Sequence, residues 1–79
     1  MSIKQEALLA IQNHLDDKAV KYTTTITALN EEFDTELQTI VEVLESELEV
    51  ELDEDLLMEI ETIGELCSLV VKASKSLVK

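Results

Sequence analysis

Residues 33–55 read FDTELQTIVEVLESELEVELDED, and the way this stretch divides decides the fold. Leu37, Ile40, Val41, Leu44 and Leu48 fall at offsets of 0, 3, 4, 7 and 11. This is one apolar stripe at the helical period, so the spacing predicts an amphipathic helix. Asp34 or Thr35 is its expected N-cap, and Thr35 with Gln38 has capping-box spacing. After Leu48 the period changes, because Leu48, Val50 and Leu52 alternate with glutamates. So short an alternating run does not make a sheet by itself, and it predicts an extended connector whose apolar side chains plug the core. Asp53 then stands where it can cap a short helix, with Glu54 and Asp55 in the first turn, where the helix dipole favours negative charge. Leu56, Leu57 and Ile60 are its expected inward residues.

Working outward, Ser2 and Gln5 also have capping-box spacing, and Ile3, Ala7, Leu8, Ile11 and Leu15 share one helical face. These predict a first helix over residues 3–15. The β-branched run TTTIT at 23–27 favours extended backbone. Residues 16–30 are therefore expected to form a long loop with at most a short helical turn near Ala28, pinned to the core by Tyr22, Ile26 and Leu29. A last helix is expected from about Thr62, with Ile63, Leu66, Cys67, Val70 and Val71 inward and Lys72, Lys75 and Lys79 toward the end the dipole prefers for cations. The expected fold class is all-α: one domain over residues 1–79, with four helices, a short third one and a long first loop. A three-helix bundle is the alternative. Ile26, Leu29, Phe33, Leu37, Ile40 and Leu44 keep near-helical spacing without an intervening Pro or Gly, which allows one helix over residues 25–48.

Charge narrows the function classes. The chain has 79 residues and a formal net charge of −12. Fifteen carboxylates and no lysine or arginine lie between Glu31 and Glu65, and all six lysines lie outside that interval. Such a surface repels nucleic acid and anionic membrane and attracts basic partners. The single cysteine, Cys67, excludes an internal disulfide, and its place on an apolar stripe marks it as a buried thiol. His14 has no cysteine or second histidine near it in sequence and is assigned to surface or packing. Asp53, Glu54 and Asp55 lack the alternating acids, central glycine and distal glutamate of an EF-hand loop, so no metal is expected. Nothing supports an enzyme. Apolar runs stop after three residues, as at Leu69, Val70 and Val71, and the start MSIKQEALL has no secretory pattern, so a cytoplasmic protein is expected.

Two segments carry a family resemblance: LESELEVELDEDLL at 44–57 and EIETIGELCSLV at 59–70. The first is similar to the end of the second helix and the following segment of the acyl carrier protein family. The second, with Thr62, Ile63, Gly64, Glu65 and Leu66, resembles the start of that family's last helix. The likeness is strongest over residues 44–71; in the N-terminal half it extends only to lengths and pattern. It implies a serine at the start of the second helix carrying 4′-phosphopantetheine, held where free N–H groups and the helix dipole favour a phosphate. Counting back from Leu44 without a gap puts Asp34 at that position, and a shift of one puts Thr35 there. A carboxylate cannot take the arm by that route, and the threonine methyl crowds its hydroxyl. The attachment position is degenerate and no cofactor is expected.

Two readings follow. In the first, the chain is an acidic acyl-carrier-like interaction module that docks a basic surface patch of a partner protein through Glu36, Glu42, Glu45, Glu49, Asp53 and Glu54, with no small-molecule substrate. In the alternative, the acidic run mimics the phosphate backbone and inhibits a nucleic-acid-binding protein. Both require a chain without a prosthetic arm. The intact mass of the protein isolated from its source is therefore expected to equal that of the polypeptide, and a pantetheine adduct would overturn both.

Overall fold

The Ser2 hydroxyl accepts the Gln5 N–H at 3.2 Å, and Gln5 Oε1 accepts the Ser2 N–H at 3.1 Å. This closed capping box starts α1 (Ile3–Leu15) in the computed structural model, which describes residues 2–77, with side chains as far as Lys75. Four more helices follow among the described residues: α2 (Ile26–Phe33), α3 (Leu37–Leu48), α4 (Glu54–Leu57) and α5 (Ile63–Leu77). The fold is all-helical, as expected, and α1 runs over the residues its periodicity predicts. Lys79 of the expected C-terminal cations lies outside the described residues.

The helix count is corrected from four to five. Residues 26–33, expected partly as loop, form a helix because the preceding threonines cap rather than extend. Thr25 is the N-cap, its hydroxyl accepting the Ala28 N–H at 3.1 Å, and Thr24 Oγ1 accepts the Lys21 N–H at 2.9 Å. The alternative helix over 25–48 is excluded. Asp34 adopts a left-handed conformation (φ 48°, ψ 43°), and the Thr35 N–H turns back to the Leu29 carbonyl at 3.1 Å. Neither Asp34 nor Thr35 caps α3, contrary to the expectation from sequence. Asp34 ends α2, and the Thr35 hydroxyl donates to the Phe33 carbonyl at 2.9 Å, which takes it away from the amides of Gln38 and beyond. The α3 N-cap is Glu36, which makes no side-chain capping bond.

The core is the meeting of three stripes. Ala7 and Ile11 of α1, Ile40, Val41 and Leu44 of α3, and Ile63, Leu66, Cys67 and Val70 of α5 are buried together. α1 packs against both α3 and α5. Val50 and Leu52 of the connector are buried as the alternating pattern predicts, and so is Leu29 of α2. Val20, which the periodicity did not mark, is fully buried; Gln12 Nε2 donates to its carbonyl at 2.7 Å.

A backbone clamp joins the first connection to the start of α5. The Ile26 N–H donates to the Glu61 carbonyl and the Ile63 N–H to the Thr24 carbonyl, both at 2.8 Å, as an isolated antiparallel bridge between Thr25 and Thr62. The Gly64 N–H adds a 2.7 Å bond to the Tyr22 carbonyl. A Cβ at Gly64 would lie 3.0 Å from that oxygen and 3.3 Å from Tyr22 Cβ, so the single glycine of the chain sits where two backbones touch.

Helices α1, α2 and α3 all end on an acid at positive φ: Asp16 at 53°, Asp34 at 48° and Glu49 at 54°. Left-handed backbone costs a side-chain-bearing residue about 1–2 kcal/mol, and a carboxylate at a helix C-terminus also meets the wrong end of the dipole. Glu49→Gly is therefore expected to stabilise the fold by about 0.5–1 kcal/mol. Gly64→Ala is expected to destabilise it by about 1 kcal/mol, because the overpacking against Tyr22 outweighs the gain in helix propensity. Urea midpoints of the two variants check both signs.

Candidate functional site

The acids proposed for partner binding cluster on α3 and the residues that follow it, and each has a local reason for its place. Glu36 precedes the first turn of α3, where the Thr39 and Ile40 N–H groups donate to its backbone carbonyl. Glu42 is exposed on the outer face, and Glu49 ends the helix. Asp53 caps α4: its Oδ1 accepts the Asp55 N–H at 2.9 Å, while the Leu56 and Leu57 amides take its carbonyl. Glu54 and Asp55 occupy the first turn of α4, as expected from the dipole.

Glu45 differs from the others. It is half-buried, and its Oε2 accepts the Leu52 N–H at 3.0 Å. Its own carbonyl accepts the N–H groups of Glu49 and Val50. Glu45 thus ties the end of α3 to the extended connector, a role that the sequence pattern does not reveal because the partner is a backbone amide seven residues away.

Side chains of α3 and α4 frame an open groove of about 450 Å³. Leu37, Val41, Leu52, Leu57 and the exposed Met58 line it together with Gln38, Glu42, Glu45 and Glu54. Of the six acids singled out from sequence, Glu42, Glu45 and Glu54 share one site; Glu36, Glu49 and Asp53 extend the charge beyond it. A second open groove, of about 490 Å³, lies on the other side of α3 against α1. Its lining includes Glu42 again, with Glu47, Ser46, Asn13 and the exposed His14. Glu47 was not among the residues singled out, since nothing in its spacing separates it from its neighbours.

Asp34 and Thr35, the positions where the resemblance implies an attachment serine, are off both grooves. Asp34 is exposed at the α2–α3 corner, and the hydroxyl of Thr35 is already spent on Phe33. Cys67 is buried within the α5 stripe; desolvation pushes its thiol up to about 11, partly opposed by the positive charge of Lys4. At neutral pH such a thiol is protonated and a poor nucleophile. Among the described residues no cluster of three or more His, Cys, Asp or Glu side chains is arranged to hold a metal ion, and no helix is long and apolar enough to cross a membrane. No family model, curated protein or solved structure matches the chain.

The Glu45 bond gives this surface a measurable structural component. Glu45→Ala is expected to lower stability by about 1–3 kcal/mol, because it leaves the half-buried Leu52 N–H unpaired. Glu45→Gln keeps an acceptor there and is expected to recover most of the loss in thermal or urea unfolding.

Proposed function

We propose that this chain is an acidic, acyl-carrier-like interaction module: a non-catalytic cytoplasmic protein, without a phosphopantetheine arm, that docks a basic surface patch of a partner protein. In this reading α1, α3 and α5 correspond to the long helices of a carrier and α4 to its short third helix. The long first connection is tightened by α2.

One observation carries the reading. From Glu31 to Glu65 the chain carries fifteen carboxylates and no lysine or arginine, a run that covers α3 and α4 from end to end. Asp34 and Glu49 stand at positive φ on helix C-termini, and Glu36 holds an N-cap position without making the capping bond that Ser, Thr, Asp or Asn would make. Asp16 at the end of α1 breaks the same rule, so the unbroken anionic run around α3, rather than the strained caps, is what supports recognition through this surface. The exposed Met58 beside Glu42 and Glu54 favours a protein partner over the nucleic-acid-mimic reading, since a phosphate-backbone imitation gains nothing from an exposed methionine.

The test compares two charge-matched variants as bait in affinity capture from the source cell. Glu42, Glu49 and Glu54 are changed to glutamine in one, and Glu6, Asp16 and Glu61 to the corresponding amides in the other. The first is expected to weaken retention of the captured partner about tenfold, with the salt sensitivity of a charged interface, and the second to leave it unchanged. Equal retention by the two variants would refute docking through α3. Displacement of nucleic acid from the captured partner by the chain would favour the mimic instead.

A further inference from the structure

We infer that Ser46 is a reversible phosphorylation site, modified by an acid-directed serine/threonine kinase, and that a phosphate there undoes the C-terminal end of α3. The inference holds whether or not α3 docks a partner.

Three observations single out this hydroxyl. The first is its sequence setting, ESELE at 45–49, with acids at positions −1, +1 and +3 from the serine. No other serine or threonine of the chain has acids at all three: Thr35 lacks the third and Thr62 the second. A kinase whose substrate groove is basic reads such flanking charge. The second is access. Ser46 is exposed, and no side-chain hydrogen bond engages its hydroxyl among the described residues. The Ser68 hydroxyl of α5, by contrast, donates to the Gly64 carbonyl at 3.0 Å. The third is position. Ser46 lies in the last turn of α3, ahead of the left-handed Glu49 at φ 54°. Ser46, Glu47 and Glu49 are exposed and Leu48 is half-buried, so the segment a kinase must draw out lies at a helix end, where opening costs least.

In the reaction Ser46 Oγ attacks the γ-phosphorus of Mg²⁺-bound ATP. The Oγ–P bond forms, the bond from that phosphorus to the β–γ bridging oxygen breaks and ADP leaves, and the hydroxyl proton passes to the kinase's catalytic aspartate. Hydrolysis by a phosphatase restores the hydroxyl and releases inorganic phosphate. The phosphorylated serine carries a charge of about −1.5 to −2 at the end of a helix whose dipole is negative there. Glu42 stands one turn before it and Glu49 three residues after it. Glu42 and Glu47 share the α1–α3 groove with Ser46, and His14 is the only basic side chain in that lining. The neighbouring Glu45 holds the connector by three bonds, taking the Glu49 and Val50 N–H groups on its carbonyl and that of Leu52 on its carboxylate. Opening the last turn breaks these bonds together, so the phosphate loosens the connector while the Thr25–Thr62 clamp stays closed.

The full chain is incubated with Mg²⁺-ATP and a kinase of the casein-kinase type, beside Ser46→Ala, Glu6→Gln and a variant with Glu47→Gln and Glu49→Gln together. The chain is expected to gain one phosphoryl group, located at Ser46 by fragment mass spectrometry. Ser46→Ala is expected to gain none, the paired glutamine variant to react about tenfold more slowly, and Glu6→Gln to react at the parent rate. In the phosphorylated chain, hydrogen exchange at the Glu49, Val50 and Leu52 amides is expected to rise about tenfold, with Ile26, Ile63 and Gly64 unchanged. The same phosphopeptide is expected as a minor species in chain isolated from its source under phosphatase inhibition. No uptake by the folded chain, uptake at another residue in place of Ser46, or absence of the phosphopeptide from the source would overturn the site. Unchanged exchange at residues 49–52 would overturn its effect on α3.

Discussion

The paired backbone hydrogen bonds between residues 24–26 and 61–63 are the constraint from which the placement of the other elements follows. The first N–H groups of any helix lack an intrahelical partner. Here α2 and α5 begin side by side, and each solves part of this problem with the other's entry segment. Ile26 and Ile63 are the first residues of the two helices, and each donates to the carbonyl preceding the other's capping threonine. The threonines then satisfy the next turn from their hydroxyls, Thr25 toward Ala28 and Thr62 toward Glu65. Glu65 Oε1 returns to the Glu61 N–H and so stiffens the α5 entry. The first four donors of α5, from Ile63 to Leu66, and those of Ile26, Ala28 and Leu29 in α2 are thus accounted for by backbone carbonyls and threonine hydroxyls, and no charged side chain is buried among the described residues.

This clamp also explains why the loop after α1 can be long without being loose. Residues 16–25 have no regular element, yet Val20 is fully buried, Gln12 holds the Val20 carbonyl, and the Gly64 amide holds that of Tyr22. Lys4 of α1 places its ammonium 5.2 Å from the Tyr22 ring centroid, a cation–π contact across the same junction. Any residue larger than glycine at position 64 presses on the Tyr22 backbone, so close approach of α5 to this segment and register of the bridge are one requirement.

What the sequence made legible was what repeats locally. The stripes of α1, α3 and α5, the alternating plug of Val50 and Leu52, and the Asp53 cap each follow from a period or a cap that a few neighbouring residues determine. What escaped reading depends on distant partners. The TTTIT run has β-branched residues but ends on threonines whose hydroxyls cap, and the choice between strand and helix entry was made by carbonyls at the far end of the chain. Asp34 looked like a helix start because the acid precedes an apolar stripe. It became a helix end because the Phe33 and Leu29 carbonyls captured the hydroxyl and amide of Thr35. The α3–α4 groove was illegible for the same reason: Leu37, Leu52 and Met58 belong to three separate segments, and the connector is held to α3 by the bonds of Leu52 and Val50 to Glu45 and by burial of both side chains.

The distribution of charge is the remaining constraint, and solubility alone does not account for it. A net negative charge can be carried at any exposed position, and Thr23, Thr27 and Asn30 are exposed and neutral. The chain instead places acids at Asp34 and Glu49, where glycine or asparagine would relieve both the left-handed backbone and the dipole repulsion. It also concentrates fifteen carboxylates in 35 positions, where like charges at helical spacing repel one another. The repulsion is shared by α3, α4 and the entry of α5, where Glu61 and Glu65 stand at the clamp, and Asp16 at the end of α1 has the same left-handed backbone as Asp34 and Glu49. In the proposed docking, a basic partner would neutralise that repulsion, so that the energy held in the crowded carboxylates would add to the affinity.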